Sequence, residues 1–162
     1  MSFIIEPIGT VRSPIREALD EVFGGLTMRI DLESARFTPD SLQGLKDFSH
    51  VEVVFYFHQV KESEVITTAR RPRNRSDWPE VGIFAQRARM RPNRVGSTVC
   101  RLVSVSGTTV TVEDLDAIDG TPVIDIKPFM TVMGPRGEVR EPEWARELAS
   151  TYWRASNRYP AR

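Results

Sequence analysis

The chain has 162 residues, with 22 Lys+Arg balanced by 22 Asp+Glu, so it fits one compact domain able to bury a core, and its net charge points to no polyanionic partner. A single cysteine, Cys100, and two histidines exclude an intrachain disulfide, a thiolate zinc cluster and a histidine-rich metal site. No signal-peptide run and no stretch of ~18 apolar residues is present, which predicts a soluble, cytoplasmic protein with no membrane contact.

The first segment, FIIEPIGTVRSPI, is β-branched but interrupted by Pro7 and Pro14, which predicts an edge strand ending in a turn. In LTMRIDL the apolar Leu26, Met28, Ile30 and Leu32 alternate with polar neighbours, the pattern of a half-buried strand. Residues 41–48 suggest a short helical turn with Ser41 as its cap. The run VEVVFYFHQV is nearly continuous in apolar and aromatic residues, as expected of a buried central strand. Residues 61–78 are polar and arginine-rich and predict a long surface loop, and residues 81–85 another strand.

Residues 97–105 and 108–115 flank Ser106-Gly107 and predict a hairpin, followed by a strand in TPVIDIKPF. Several short strands at this spacing argue for a barrel or sandwich. A helix is expected from about Glu141, with Pro142 in its first position and Trp144, Leu148 and Tyr152, with Ala145 and Ala149, along one face. The tail NRYPAR is expected to be loose. The resulting picture is one mainly β domain, a barrel or a sandwich, with its strands within residues 1–140 and a C-terminal helix and tail over residues 141–162 packed on it.

Charge is segregated although it balances. Residues 70–101 hold nine arginines against Asp77 and Glu80, a local balance of +7, and 19 of the 22 basic residues are arginine. The planar guanidinium fork suits phosphate, carboxylate and base edges, so the segment has the footprint of a nucleic-acid binder. An arginine-rich solvated loop is the plainer alternative. Within it, Arg91-Pro92-Asn93 forms a turn able to orient Arg87, Arg89 and Arg94.

No glycine-rich phosphate fingerprint and no H-E-x-x-H occurs. The remaining pieces are His58-Gln59 at a strand end, with His50 eight residues earlier, the Gly24-Gly25 pair, and the acidic stretch from Glu113 to Gly120. Aspartates in that stretch can build turns, or a carboxylate there can accept ribose hydroxyls or counter a cation.

Four ordered blocks tie these pieces together: Ile8-Gly9-Thr10-Val11-Arg12-Ser13-Pro14; Phe48-Ser49-His50 with Phe57-His58-Gln59; Gly82-Ile83-Phe84-Ala85-Gln86-Arg87 with Arg91-Pro92-Asn93; and Asp119-Gly120-Thr121-Pro122-Val123-Ile124-Asp125-Ile126-Lys127-Pro128. They resemble the YaeB/TsaA-like, TrmO-type family of β-barrel methyltransferases dependent on S-adenosylmethionine. The resemblance implies a small single-domain β-barrel over residues 1–140 that forms a homodimer, binds S-adenosyl-L-methionine near the subunit interface and N6-methylates threonylcarbamoyl-adenosine in tRNA. It implies cofactor contacts at Gly24, Gly25, Leu26, His58, Gln59, Arg87, Ser97, Asp114, Leu115, Asp116 and Ala117, and no metal. Arg71, Arg91, Asn93 and Arg94 are the candidate substrate contacts.

The chain departs from the family pattern at Gln86, where threonine is usual, at Arg94, where R-P-N-P would place proline, and at Gly24, where longer members have proline. It resembles a short form without the longer members' C-terminal domain. Methyl transfer to an amine is an in-line displacement that needs neither metal nor covalent nucleophile. His58 and Asp119 qualify as a base by residue type only, and the catalytic residue is left open. The competing readings are a non-catalytic RNA-binding barrel, and a methyltransferase for another RNA or a small molecule.

Overall fold

A computed structural model describes residues 3–18 and 23–154. Six strands close into an antiparallel barrel: β1 (Gly9–Arg12), β2 (Thr27–Leu32), β3 (His50–Tyr56), β6 (Val95–Ser106), β7 (Thr109–Glu113) and β8 (Pro122–Pro128), in the order β1-β2-β7-β6-β3-β8. Two further short strands, β4 (Ala69–Arg70) and β5 (Val81–Gly82), pair with each other outside it. The helix α1 (Glu143–Ala149) follows the last strand.

Alternation drives the closure. Met28, Ile30 and Leu32 on β2, Val51, Val53 and Phe55 on β3, Val110 and Val112 on β7, and Val123 on β8 all point inward, and each is 8% exposed or less. One buried face per strand fixes register, because a one-residue slip would turn every apolar side chain outward. The long β6 serves two partners. Residues 95–101 pair with β3, and residues 101–106 pair with β7 across a register shift between Leu102 and Ser104. A second irregularity, between Val54 and Phe55, lies where β3 meets β8. Such bulges add the local bending that a closed sheet needs.

Several expectations are corrected. The first segment is no edge: β1 pairs with β2 on one side and β8 on the other, and Pro7 and Pro14 flank it rather than interrupt it. Buried and half-buried residues alternate along β3, so it is not uniformly buried, and it ends at Tyr56. Ser41 lies inside a 3-10 turn (Pro39–Leu42) that follows Thr38 and caps nothing.

Residues 61–78 are built, not loose. They contain two 3-10 turns and β4, and end in Trp78, which is 4% exposed. The strand expected over residues 81–85 is β5 followed by a 3-10 turn (Ile83–Ala85). The helix is seven residues long, Pro142 stands before its first turn, and Tyr152 lies just beyond its end. The expected loose tail lies outside the described residues.

Candidate functional site

Two adjoining clefts open beside the ends of β3 and β6. The larger, about 800 Å³, runs between the barrel, the segment after β5 and the C-terminal helix, and takes in Phe57, His58, Arg87, Asp116, Trp144 and Tyr152. The smaller, about 480 Å³, is lined by Phe84, Arg91, Pro92 and Asn93, and shares Phe55, Phe57, Arg87, Ser97 and Asp116 with the first. Both fall within the size range of small-molecule sites. At Gly96 on β6, a Cβ would stand 2.6 Å from Phe55 and 2.8 Å from Phe57, so the absent side chain lets both rings close against the strand.

Asp116 is set by its neighbours in sequence. Asp114 has φ 63°, its carboxylate accepts the Gly25 backbone N–H at 2.7 Å, and its own N–H reaches the Leu26 carbonyl at 3.3 Å. Leu115 is fully buried, and the Ala117 N–H bonds back to Leu115 at 2.9 Å. With both flanks fixed, the Asp116 side chain faces the cleft, where its Oδ2 accepts a hydrogen bond from the Tyr152 hydroxyl. Burial pushes its carboxyl up from 3.8 to about 6, against the opposing effects of that bond and of Arg87 and Arg89. The same burial and the nearby carboxylate push the Tyr152 phenol up.

Arg87 marks the junction of the two clefts. Its Nη2 donates to the Ser97 carbonyl at 2.5 Å and lies 3.5 Å from the Ser97 hydroxyl. Beyond β3, the turn closed by Val60 N–H on the Phe57 carbonyl carries His58 and Gln59. Gln59 Nε2 donates to the Arg16 carbonyl at 3.1 Å. Burial lowers the His58 pKa below 6.5, and its Nδ1 is buried with no hydrogen-bond partner among the described residues. The site therefore gathers a carboxylate, a guanidinium and an imidazole between aromatic walls.

The structure divides the expected cofactor contacts. His58, Gln59, Arg87, Ser97, Asp116 and Ala117 line the larger cleft. Gly25, Leu26, Asp114 and Leu115 are not in its lining and hold the acidic turn in place, while Gly24 packs against the Trp153 backbone. Among the expected substrate contacts, Arg91 and Asn93 line the smaller cleft, while Arg91 Nη1 also donates to the Gln86 carbonyl at 3.1 Å.

Arg71 and Arg94 are turned to the protein itself. Arg71 donates to the Trp78 carbonyl. Arg94 donates to the Val60 carbonyl at 2.8 Å, pairs with Glu62 at 3.0 Å and lies over the Tyr56 ring. Asp119, a base candidate by type, accepts the Ser13 N–H at 3.1 Å and pins the start of the chain. Trp144, Leu148 and Tyr152 line the larger cleft, although their spacing had suggested only a helix face packed on the barrel. Among the described residues, no group of three or more His, Cys, Asp or Glu side chains could hold a metal.

Residues 13–134 match the model of the tRNA-methyltransferase O N-terminal domain. The chain is 36% identical over 138 residues to the tRNA (adenine(37)-N6)-methyltransferase of Escherichia coli, covering 80% of this chain and 58% of the relative. It is 34% identical over 138 residues to a probable S-adenosyl-L-methionine-binding protein of Pyrococcus abyssi, covering 83% and 72%. The crystal structure of TrmO from Pseudomonas aeruginosa superposes with a TM-score of 0.70 at 29% identity, covering 86% of this chain and 61% of that one. The chain thus spans somewhat more than half the length of the tRNA methyltransferase relative it matches. With three quarters of its residues in the match and the same barrel in space, this chain belongs to the family of the tRNA-methyltransferase O N-terminal domain.

Proposed function

We propose that this protein is an S-adenosylmethionine-dependent methyltransferase that modifies N6 of an adenosine in tRNA, threonylcarbamoyl-adenosine being the expected target. The observation that carries the reading is the presence of Asp116 and Arg87 together in one cleft walled by aromatic side chains, in a chain of this family. The residues fit the cofactor group by group. Phe55, Phe57, Trp144 and Tyr152 offer apolar faces for a purine. The Asp116 carboxylate suits ribose hydroxyls or a cation, and the Arg87 guanidinium suits a carboxylate.

When bound, S-adenosylmethionine would supply an electrophilic methyl group: N6 would form the new N–C bond in line as the S–C bond breaks, the neutral thioether would leave with the S–C electron pair, and N6 would lose one proton. The chain's part is to bind and orient the two reactants and to exclude water, and such positioning can supply most of the acceleration. His58, kept neutral by burial, lines the cleft and is its candidate to take a proton. Arg70, Arg73, Arg87 and Arg89 line the larger cleft, and Arg91 the smaller. They supply the cationic surroundings a phosphate backbone favours. Action as a homodimer in the cytoplasm belongs to the same proposal and rests on the family resemblance.

Mass spectrometry of tRNA nucleosides from knockout and parent cells tests the substrate. Loss of one N6-methylated adenosine derivative in the knockout is expected. Identical nucleoside profiles, with calorimetry showing that folded protein binds S-adenosylmethionine, would move the substrate to another RNA or a small molecule. Light scattering on the purified protein checks the dimer.

A further inference from the structure

The match to the family model ends at residue 134, yet one wall of the larger cleft comes from beyond it. Trp144 and Leu148 on α1 and Tyr152 just after it face the barrel across the opening. This wall is anchored at both ends. Near α1, the Trp78 indole donates to Glu147 at 2.8 Å, and Arg75 pairs with the same carboxylate at 3.1 Å. At the far end, Trp153 packs its backbone against Gly24, and Tyr152 lies against Phe23 with ring centroids 6.3 Å apart. Between the anchors, Tyr152 makes its hydrogen bond to Asp116.

We infer that Tyr152 is a positioning residue: its hydroxyl holds the Asp116 carboxylate in one orientation and in its charged form for the cofactor, so the C-terminal segment completes a binding site that the barrel leaves open. This inference rests on the cofactor reading above. Tyr152 touches Asp116 and acts through it. A phenol can satisfy a carboxylate in the apolar part of a cleft without adding a charge, and it leaves the second carboxylate oxygen to the ligand side. A guanidinium there would neutralise the carboxylate instead.

The groups around Asp116 come from several elements. Tyr152, with Arg87 and Arg89 after β5, acts on Asp116 directly; Arg73 acts on Tyr152, Cys100 on β6 feels the charges of Asp114 and Asp116, and His58 after β3 lines the same cleft. Burial raises the Asp116 carboxyl to about 6, and the Tyr152 bond opposes that rise. Removing the hydroxyl must therefore raise it further. His58, whose pKa burial lowers, would also repel a cation when charged, but its loss of a proton does not depend on Tyr152.

The test is Tyr152→Phe in the full chain, which keeps the ring and removes one oxygen. Binding of S-adenosylmethionine is measured by calorimetry from pH 5 to 8.5, and the Asp116 carboxyl is followed by carbon-13 NMR. In the parent protein, affinity should fall as the pH drops through the Asp116 titration seen by NMR. In Tyr152→Phe both inflections should move up by about one pH unit, giving roughly fivefold weaker binding near pH 6 and near-equal affinity at pH 8. Asp116→Asn should bind weakly with no inflection of this kind.

A parent protein that binds while Tyr152→Phe leaves the inflection unmoved overturns the inference alone. So does a loss of the same size at every pH, which marks a packing role. A folded parent protein that binds no S-adenosylmethionine at any pH overturns the cofactor reading and the inference with it.

Discussion

Trp78 and Glu147 lie 69 positions apart, and the indole Nε1 donates to the Glu147 carboxylate at 2.8 Å. Trp78 is buried, Arg75 stacks over its ring at 4.1 Å, and Arg75 also pairs with Asp77 and with Glu147. Part of the arginine-rich segment thus docks the C-terminal helix instead of waiting for a phosphate. A seven-residue helix is too short to persist alone in water, so its order depends on this dock.

Glu147→Ala leaves a buried indole N–H without its acceptor, a loss on the order of 1–2 kcal/mol. Amide hydrogen exchange over residues 143–149 should speed by about tenfold, with β3 amides unaffected. Glu147→Gln keeps an acceptor and should show a smaller effect. Equal exchange in all three proteins would mean that the helix is held by its apolar face alone.

Gly24 is the counterpart at the other end. A Cβ there would stand 1.8 Å from the Trp153 carbonyl oxygen and 2.3 Å from its carbon, both backbone atoms that no rotamer change moves. Gly24→Ala should therefore lift residues 150–153 from the barrel and separate Tyr152 from Asp116. Acrylamide quenching of tryptophan fluorescence should rise. Adding Trp153→Phe should remove part of that increase.

Much of the barrel was legible because its signals are local. The alternation of Met28, Ile30 and Leu32 and the Ser106-Gly107 turn each announce their structure within a few residues. Closure was legible only through the family resemblance and not from local signals, since β1 completes the barrel by pairing Gly9 with Val123, a contact over a separation of more than 100 positions. At the site, His58, Arg87, Ser97 and Asp116, which the resemblance grouped, line one cleft. At Arg71 and Arg94 charge density was silent about the backbone bonds, because a sequence shows that a guanidinium is present but not which carbonyl it will meet. The face of Trp144, Leu148 and Tyr152 was visible as a pattern, but apolar spacing does not distinguish a core face from a cleft wall.

Gln86, a departure from the family's usual threonine, proves to be a brace. It is 8% exposed, and its Nε2 donates to the Arg70 carbonyl at 3.0 Å and to the Val81 carbonyl at 2.9 Å, across the β4–β5 pair. Threonine is too short to span both. Gln86→Thr should lower stability by about 1–3 kcal/mol, read as a lower urea midpoint with an unchanged slope. It should also loosen Arg91, whose Nη1 bonds to the Gln86 carbonyl, and so weaken RNA affinity more than cofactor affinity.

Asp116 sets a cost in stability against its place in the site. Its folded carboxyl sits at about 6, above the ordinary 3.8, with burial as the largest cause. Folded protein therefore holds this proton more tightly than unfolded chain does. The favourable contribution is fully present below about pH 4 and is lost as pH rises through about 6. The displacement corresponds to at most about 3 kcal/mol at neutral pH. Asp116→Asn removes the charge while keeping the shape, so it should stabilise the protein above pH 6 by about 1–3 kcal/mol and change little at pH 4. His58, whose pKa is lowered, contributes with the opposite sign, since its stabilising effect is lost as pH falls. It is common to both proteins and drops out of their difference. Paired urea titrations from pH 4 to 8 measure that difference directly, and a gap between parent and variant that does not widen between pH 4 and 7 would show that the buried carboxylate carries no such cost.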